Sequence, residues 1–244
     1  MNKTDIFAAA LVDDVAKIYS AHMKVAIDTQ QEFANIGSDK EKYLKEVFVN
    51  YMTIKNAIDN LKFIEIYLSI DPIPEHYLEN GIDEIEYYRH HIESFHIKCA
   101  SIIDYITLLL NHTLRLGIPK RKCNVYSITE NTILKGSELI TKLKALENEF
   151  KELKSNRNKI IHQGDFESES IKDIDSTLIN GDGLFDFGEV LTEYLKNEKK
   201  EKILKTIENL NEQISKIEFH LGEILEQLTP YIQEKISHFE INEK

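Results

Sequence analysis

An all-α fold, a helical bundle of about six helices, is what this sequence predicts, and three observations predict it. Apolar residues recur at alternating spacings of three and four through most of the 244 residues. The breaks between these runs fall on glycine and proline clusters, and no segment alternates as a strand requires.

The first run, Ile6 to Phe33, carries Phe7, Leu11, Val15, Ile18 and His22 at helical spacing, and Gly37-Ser38-Asp39 breaks it. A second runs from Lys40 to Ile70, so residues 1–70 form an N-terminal helix pair; Asp71-Pro72-Ile73-Pro74 then forces a stop. The third helix extends from about Asp83 to Leu116, with Tyr88, Ile92, Phe95, Cys99, Ile102 and Ile106 as its seam, and Gly117-Ile118-Pro119 ends it. The fourth begins near Thr129 with a seam of Leu139, Leu143, Leu146, Phe150, Leu153, Arg157 and Ile160. Residues 164–198 read as an acidic, partly loop segment in which Asn180-Gly181-Asp182-Gly183 is a loop; the spacing and closing glutamate of an EF-hand are missing. Residues 199–238 form a long last helix whose seam, Ile203, Ile207, Leu210, Ile214, Ile217, Leu221, Ile224 and Leu228, runs until Pro230 ends or kinks it. That seam permits a coiled-coil dimer, but packing within a bundle produces the same pattern and is the favoured reading. The whole chain reads as one helical domain, 1–244.

Composition sets limits on function. With 42% hydrophobic and 30% charged residues, the chain is an ordinary globular one with material for one sizeable core or two small ones. No apolar run approaches the roughly 20 residues of a membrane span. Met1 to Ala10 lacks a signal-peptide core, so a cytoplasmic address and no membrane partner are expected. Cys99 and Cys123 make neither a disulfide framework nor a zinc spacing. Glu93 and His96 form one Glu-x-x-His pair, yet a di-iron bundle needs a second, which the chain lacks. No metal and no cofactor are expected, and His90, His91 and His96 read as surface or partly buried histidines.

The net charge of −12 argues against a general nucleic-acid binder, but its distribution is uneven. Between Arg115 and His162 eleven Lys and Arg face five Glu, whereas Gly164 to Leu195 holds nine Asp and Glu against one lysine. Lys120, Arg121 and Lys122 in the turn, with Lys151 and Lys154 on the following helix, are the candidates for RNA phosphates. The acidic segment could lie over a cleft beside the basic hairpin and suppress idle activity there. Solvated surface and a plain loop remain the favoured alternative for both.

Chemistry concentrates in Arg157-Asn158-Lys159-Ile160-Ile161-His162. Arg157 stands where the seam calls for an apolar residue, and a guanidinium taken out of water needs an anion, another charge or a solvent-filled cleft. Lys151, Ser155, Asn158 and His162 line a neighbouring polar stripe, so Asn158 and His162 are neighbours. Arginine and histidine five apart lie roughly 140° apart on a helix of 3.6 residues per turn. One helix face does not offer both to one phosphate unless the side chains reach round, the helix loosens near Gly164, or two copies contribute.

This run, at the end of a long helix and followed by Gln163 and Gly164, resembles the Arg-polar-x-x-x-His signature of the HEPN superfamily. The resemblance covers a helical hairpin over residues 83–163. It implies an all-helical bundle that pairs through the motif helix, with the arginine and histidine of both copies lining a shared cleft. Many such proteins are metal-independent ribonucleases in toxin–antitoxin or phage-defence settings, and others only bind nucleotides or RNA. It thus implies Arg157, Asn158 and His162 as catalytic residues, an RNA substrate leaving a 2′,3′-cyclic phosphate, a homodimer, and an antitoxin or other protein partner. Arg89 and Asp104, on the helix expected to face the motif, are candidates for supporting Arg157 or His162. The competing expectation is a noncatalytic helical RNA- or nucleotide-binding or scaffold protein, in which Arg157 pairs with a buried carboxylate and His162 caps the helix C-terminus.

Overall fold

The computed structural model describes residues 3–30, 32, 35–163, 169–181 and 188–242. Among the described residues every regular element is helical. In chain order they are α1 (Lys3–Thr29), α2 (Asp39–Leu68), α3 (Glu75–Glu79), α4 (Glu84–Thr113), a single 3-10 turn (Lys120–Lys122), α5 (Val125–Thr129), α6 (Glu138–Glu149), α7 (Lys151–Gln163), α8 (Glu169–Gly181) and α9 (Gly188–Asn242).

The helix starts follow from local chemistry. Ser38 and Glu41 form a capping box at α2, with the Ser38 N–H donating to Glu41 Oε2 at 2.7 Å and the Glu41 N–H to Ser38 Oγ at 3.3 Å. Asp83 accepts from the Glu86 N–H at 2.8 Å to open α4, and Asn124 and Ser127 form a second box at α5. The connection after α4 is fixed by Asn111, whose side chain donates to Ile118 O and accepts from the Ile118 N–H.

The chain forms two compact units: Met1–Ala57, Ser101–Glu149 and Ile217–Lys244 make the first, Ile58–Ala100 and Phe150–Lys216 the second. Helices α2, α4 and α9 supply residues to both. The first unit buries Phe7 and Leu11 from α1, Leu44 and Ile54 from α2, Ile106 and Leu110 from α4, Leu143 from α6 and Ile224 from α9. The second buries Leu61 and Ile64 of α2, Tyr88, Ile92 and Phe95 of α4, Leu153 of α7, Ile171 and Ile174 of α8, and Ile207 and Ile214 of α9. Within it Lys199 binds Asp71 at 2.8 Å and Glu84 at 3.2 Å, tying α9 to the start of α4. Burial alone would lower the Lys199 pKa, but the Asp71 bond and the Glu84 charge outweigh it and raise it.

The expected seams are borne out where the pattern was long. All eight seam residues from Ile203 to Leu228 are buried within the single chain, so packing within the protein takes that surface. Several boundaries differ. Pro230 does not end the last helix, which continues to Asn242 and begins at Gly188 rather than 199. Thr129 closes α5 instead of opening the motif helix; Gly136 at φ +80° and the Asn131 side chain, accepting from the Ile133 N–H, hold a turned connection before α6. Within the acidic segment Asn180 and Gly181 belong to α8, while Asp182 and Gly183 lie outside the described residues, as do Phe33 and Gly164.

Candidate functional site

Helix α7 is anchored by Phe150 and Leu153, both buried in the second unit, and its apolar stripe gives out one turn later. Arg157 and Ile160 are half-buried, whereas Lys151, Ser155, Asn158 and His162 are exposed along the neighbouring stripe, and Lys154 is half-buried. Ile161, half exposed, sits among them. Arg157 and His162 therefore leave α7 in different directions, as helical geometry requires.

Arg157 is chemically unsettled. Its Nε is shielded from solvent, and among the described residues it has no hydrogen-bond partner and no carboxylate within ion-pair distance. A buried donor without an acceptor costs on the order of 1–3 kcal/mol, so the position favours any acceptor that can reach it.

The other expected site residues divide between the units. Arg89, half-buried on α4, belongs to the second unit with the motif; Asp104 belongs to the first. There burial raises the Cys123 thiol pKa, a bond to Thr107 opposes this, and the Asp104 charge adds to the rise. Lys120, Arg121 and Lys122 are exposed in the 3-10 turn of the first unit.

Sequence reasoning missed a polar cavity of about 440 Å³ in the second unit. Glu152, Asn156 and Lys159 of α7 line it, with His96 of α4, Glu169 and Ser170 at the start of α8, and Gln213 and Lys216 of α9 among its other walls. The four-and-three spacing of the α7 residues was the available signal, but its other walls come from distant segments. His96, expected as a surface or partly buried histidine, is buried, and that burial pushes its pKa down to about 4, so the ring is neutral near pH 7. His91 is half-buried and likewise lowered to about 4 by burial, then by His90 and Lys98, while His90 is exposed. Among the described residues no group of three His, Cys, Asp or Glu is placed to hold a metal ion, and no helix is long and apolar enough to cross a membrane.

No curated protein and no solved structure gives a significant match to this chain. A family model described as HEPN_Cthe2314-like HEPN matches residues 42–236, well over half of the chain and a span that contains α7 with Arg157, Asn158 and His162. The protein belongs to this HEPN family, and its all-helical fold is the one the family implies.

Proposed function

We propose that the protein is a metal-independent endoribonuclease whose site is built from Arg157, Asn158 and His162 on α7. The observation that carries the reading is the state of the motif: a buried Arg157 Nε with no acceptor among the described residues, on a helix that leaves Asn158 and His162 open to solvent. The family membership adds to it.

Cleavage needs a base to take the 2′-hydroxyl proton and an acid to protonate the departing 5′-oxygen. The 2′-oxygen forms a bond to phosphorus as the bond to the 5′-oxygen breaks, giving a 2′,3′-cyclic phosphate and a 5′-hydroxyl. His162 is the titratable group, and such proton transfer contributes roughly 10² to 10⁴ in rate. Arg157 holds the non-bridging oxygens and stabilises the charge growing on them; Asn158 orients the imidazole or the phosphate. Because Arg157 and His162 diverge on one helix, two copies paired through α7 complete the site, one histidine serving as base and the other as acid. Lys151 and Lys154 supply phosphate contacts along the same helix. Such an activity suits a toxin or a phage-defence effector held in check by a protein partner.

The test is cleavage of a fluorescent single-stranded RNA in EDTA by the wild type and by His162→Ala. Cyclic-phosphate ends that disappear in the variant support the reading. A folded, dimeric wild type that cleaves no member of an RNA panel overturns it in favour of a noncatalytic binding or scaffold protein.

A further inference from the structure

Two exposed surfaces of opposite chemistry remain outside this site. In the second unit, Tyr67 of α2 stacks on His91 of α4 with centroids 4.9 Å apart and planes at 19°, and Tyr87 meets His91 edge-on at 4.5 Å. The Tyr87 hydroxyl donates to Tyr67 O at 3.0 Å, so the aromatic face is held rigid. Phe63 and Ile66 extend it along α2, 49% and 57% exposed, and Leu78 of α3 is 52% exposed. Exposed carboxylates are interleaved in the same elements: Glu75 and Glu79 on α3, Asp83 and Glu86 at the start of α4. Burial keeps the His91 ring neutral near pH 7, and Lys199 is engaged by Asp71 and Glu84. Lys62 of α2 and Lys98 of α4 are exposed cations of the same elements, but the carboxylates outnumber them, so the face is apolar, aromatic and negative on balance.

The first unit carries the complement. Lys120, Arg121 and Lys122 are exposed in the 3-10 turn, and Tyr126 and Ile133, at 74% and 77%, are the most exposed large apolar side chains among the described residues. This segment is not loose. The Asn124–Ser127 capping box fixes α5, Cys123 Sγ donates to Thr107 O at 3.3 Å, and Val125, Ile128 and Leu134 are buried beneath. A rigid element that presents a tyrosine, an isoleucine and three cations to solvent is built like half of an interface.

We propose that the basic turn of one copy docks on the acidic aromatic face of a neighbouring copy. Each patch is exposed on its own unit, and a second copy offers its complement. Arg121 and its neighbouring lysines meet the Glu75, Glu79 and Glu86 carboxylates and the aromatic rings, where a guanidinium also gains a cation–π contact. Tyr126 and Ile133 cover Phe63 and Ile66. The two patches differ, so the contact is heterologous and the pair it forms still offers one free patch of each kind; assembly proceeds to a ring or a filament. This association needs no active motif. The contact joins unlike charges, so added salt weakens it, although the net charge of −12 repels whole copies and salt screens that repulsion as well.

Sedimentation velocity of the full chain tests it. At about 50 mM salt the wild type sediments as concentration-dependent larger species that dissociate at about 500 mM, where screening shortens the reach of the charges. The face variant Glu75→Lys/Glu79→Lys/Glu86→Lys and the turn variant Lys120→Glu/Arg121→Glu/Lys122→Glu each lose the larger species alone, and an equimolar mixture of the two regains them, because each then matches the other. All six positions are exposed, and the wild-type salt titration stands without any variant. A sedimentation profile indifferent to salt overturns the proposal, as does failure of the mixture to reassemble. Binding of a lysine- and arginine-rich peptide to a chain that does not self-associate assigns the face to another protein's basic segment and overturns it too. A turn variant that cleaves RNA less well with unchanged sedimentation gives the turn to RNA instead.

Discussion

Replacing Arg157 separates a site residue from a structural one, and the structure fixes the expected size of the effect. The side chain is half-buried, with an Nε that has no hydrogen-bond partner among the described residues. Truncation in Arg157→Ala removes two methylenes, Cγ and Cδ, at about 0.8 kcal/mol for each one fully buried, so half burial puts the loss at about 0.8 kcal/mol. It also removes the orphaned donor, whose cost is on the order of 1–3 kcal/mol. The two terms oppose, and Arg157→Ala is expected between neutral and about 2 kcal/mol more stable than wild type. Arg157→Met keeps the apolar stem and discards the charged head, and it should be at least as stable as Arg157→Ala. His162→Ala, at an exposed position, should stay within about 0.5 kcal/mol. Urea unfolding followed by circular dichroism at two protein concentrations reads all three, while RNA cleavage falls sharply in each. A loss of 3–5 kcal/mol in Arg157→Met would show that the guanidinium is one half of a buried ion pair, and the reasoning from an unsatisfied arginine fails.

Other consequences follow from burial and backbone geometry. Burial lowers the His96 pKa to about 4, so between there and its reference value near 6.5 the unfolded chain binds more protons than the folded one. Stability is then full above pH 6.5 and falls as the pH drops toward 4, by up to about 3 kcal/mol; His96→Leu should flatten that limb of a urea-midpoint profile. Gly37 has φ +99°, and a Cβ there would lie 2.3 Å from His22 Cε1 and 2.6 Å from Glu41 Oε2, so Gly37→Ala should cost about 1–3 kcal/mol in urea unfolding. Burial raises the thiol pKa values of Cys99 and Cys123, so a thiol reagent at pH 8 should modify neither at the rate of a free cysteine until urea unfolds the protein.

Long seams are legible in the sequence because burial and periodicity say the same thing over many residues. The run from Tyr88 to Ile106 and the run from Ile203 to Leu228 are buried throughout. Short or broken signals are not. Among the described side chains of helix α8 two isoleucines, Ile171 and Ile174, are buried, too few to establish a period within an acidic stretch. The break at Phe150 between α6 and α7 leaves the four-and-three spacing intact from Leu146 to Leu153, so the pattern reads straight across it. Pro230 is exposed, and the helix runs through it with Leu228 and Ile232 buried on either side. Proline propensity is a local cost of roughly 3 kcal/mol, and burial of a continuous stripe is large enough to override it. The cavity around His96 is hidden for a different reason: its walls come from four helices, and no spacing within one segment encodes their meeting.

Arg157 is legible as an anomaly in the apolar pattern itself, and its environment explains why anomalies of that kind are informative. A seam position selects against charge, since an apolar side chain there gains burial and a cation loses hydration. Leu153, one turn earlier, obeys the rule and is buried. Arg157 breaks it without the compensation a structural arginine normally has, because among the described residues neither an acceptor for its Nε nor a carboxylate within reach is present. Conflicts between local pattern and fold concentrate where function requires them. Here the conflict falls on the residue that opens the motif, with the exposed Ile161 and His162 closing it, at the point where α7 stops contributing to the core. Beyond Leu153 the helix carries little of the second unit's packing, so its exposed stripe is free to serve a ligand or another copy, and a missing acceptor for Arg157 is what a phosphate would supply.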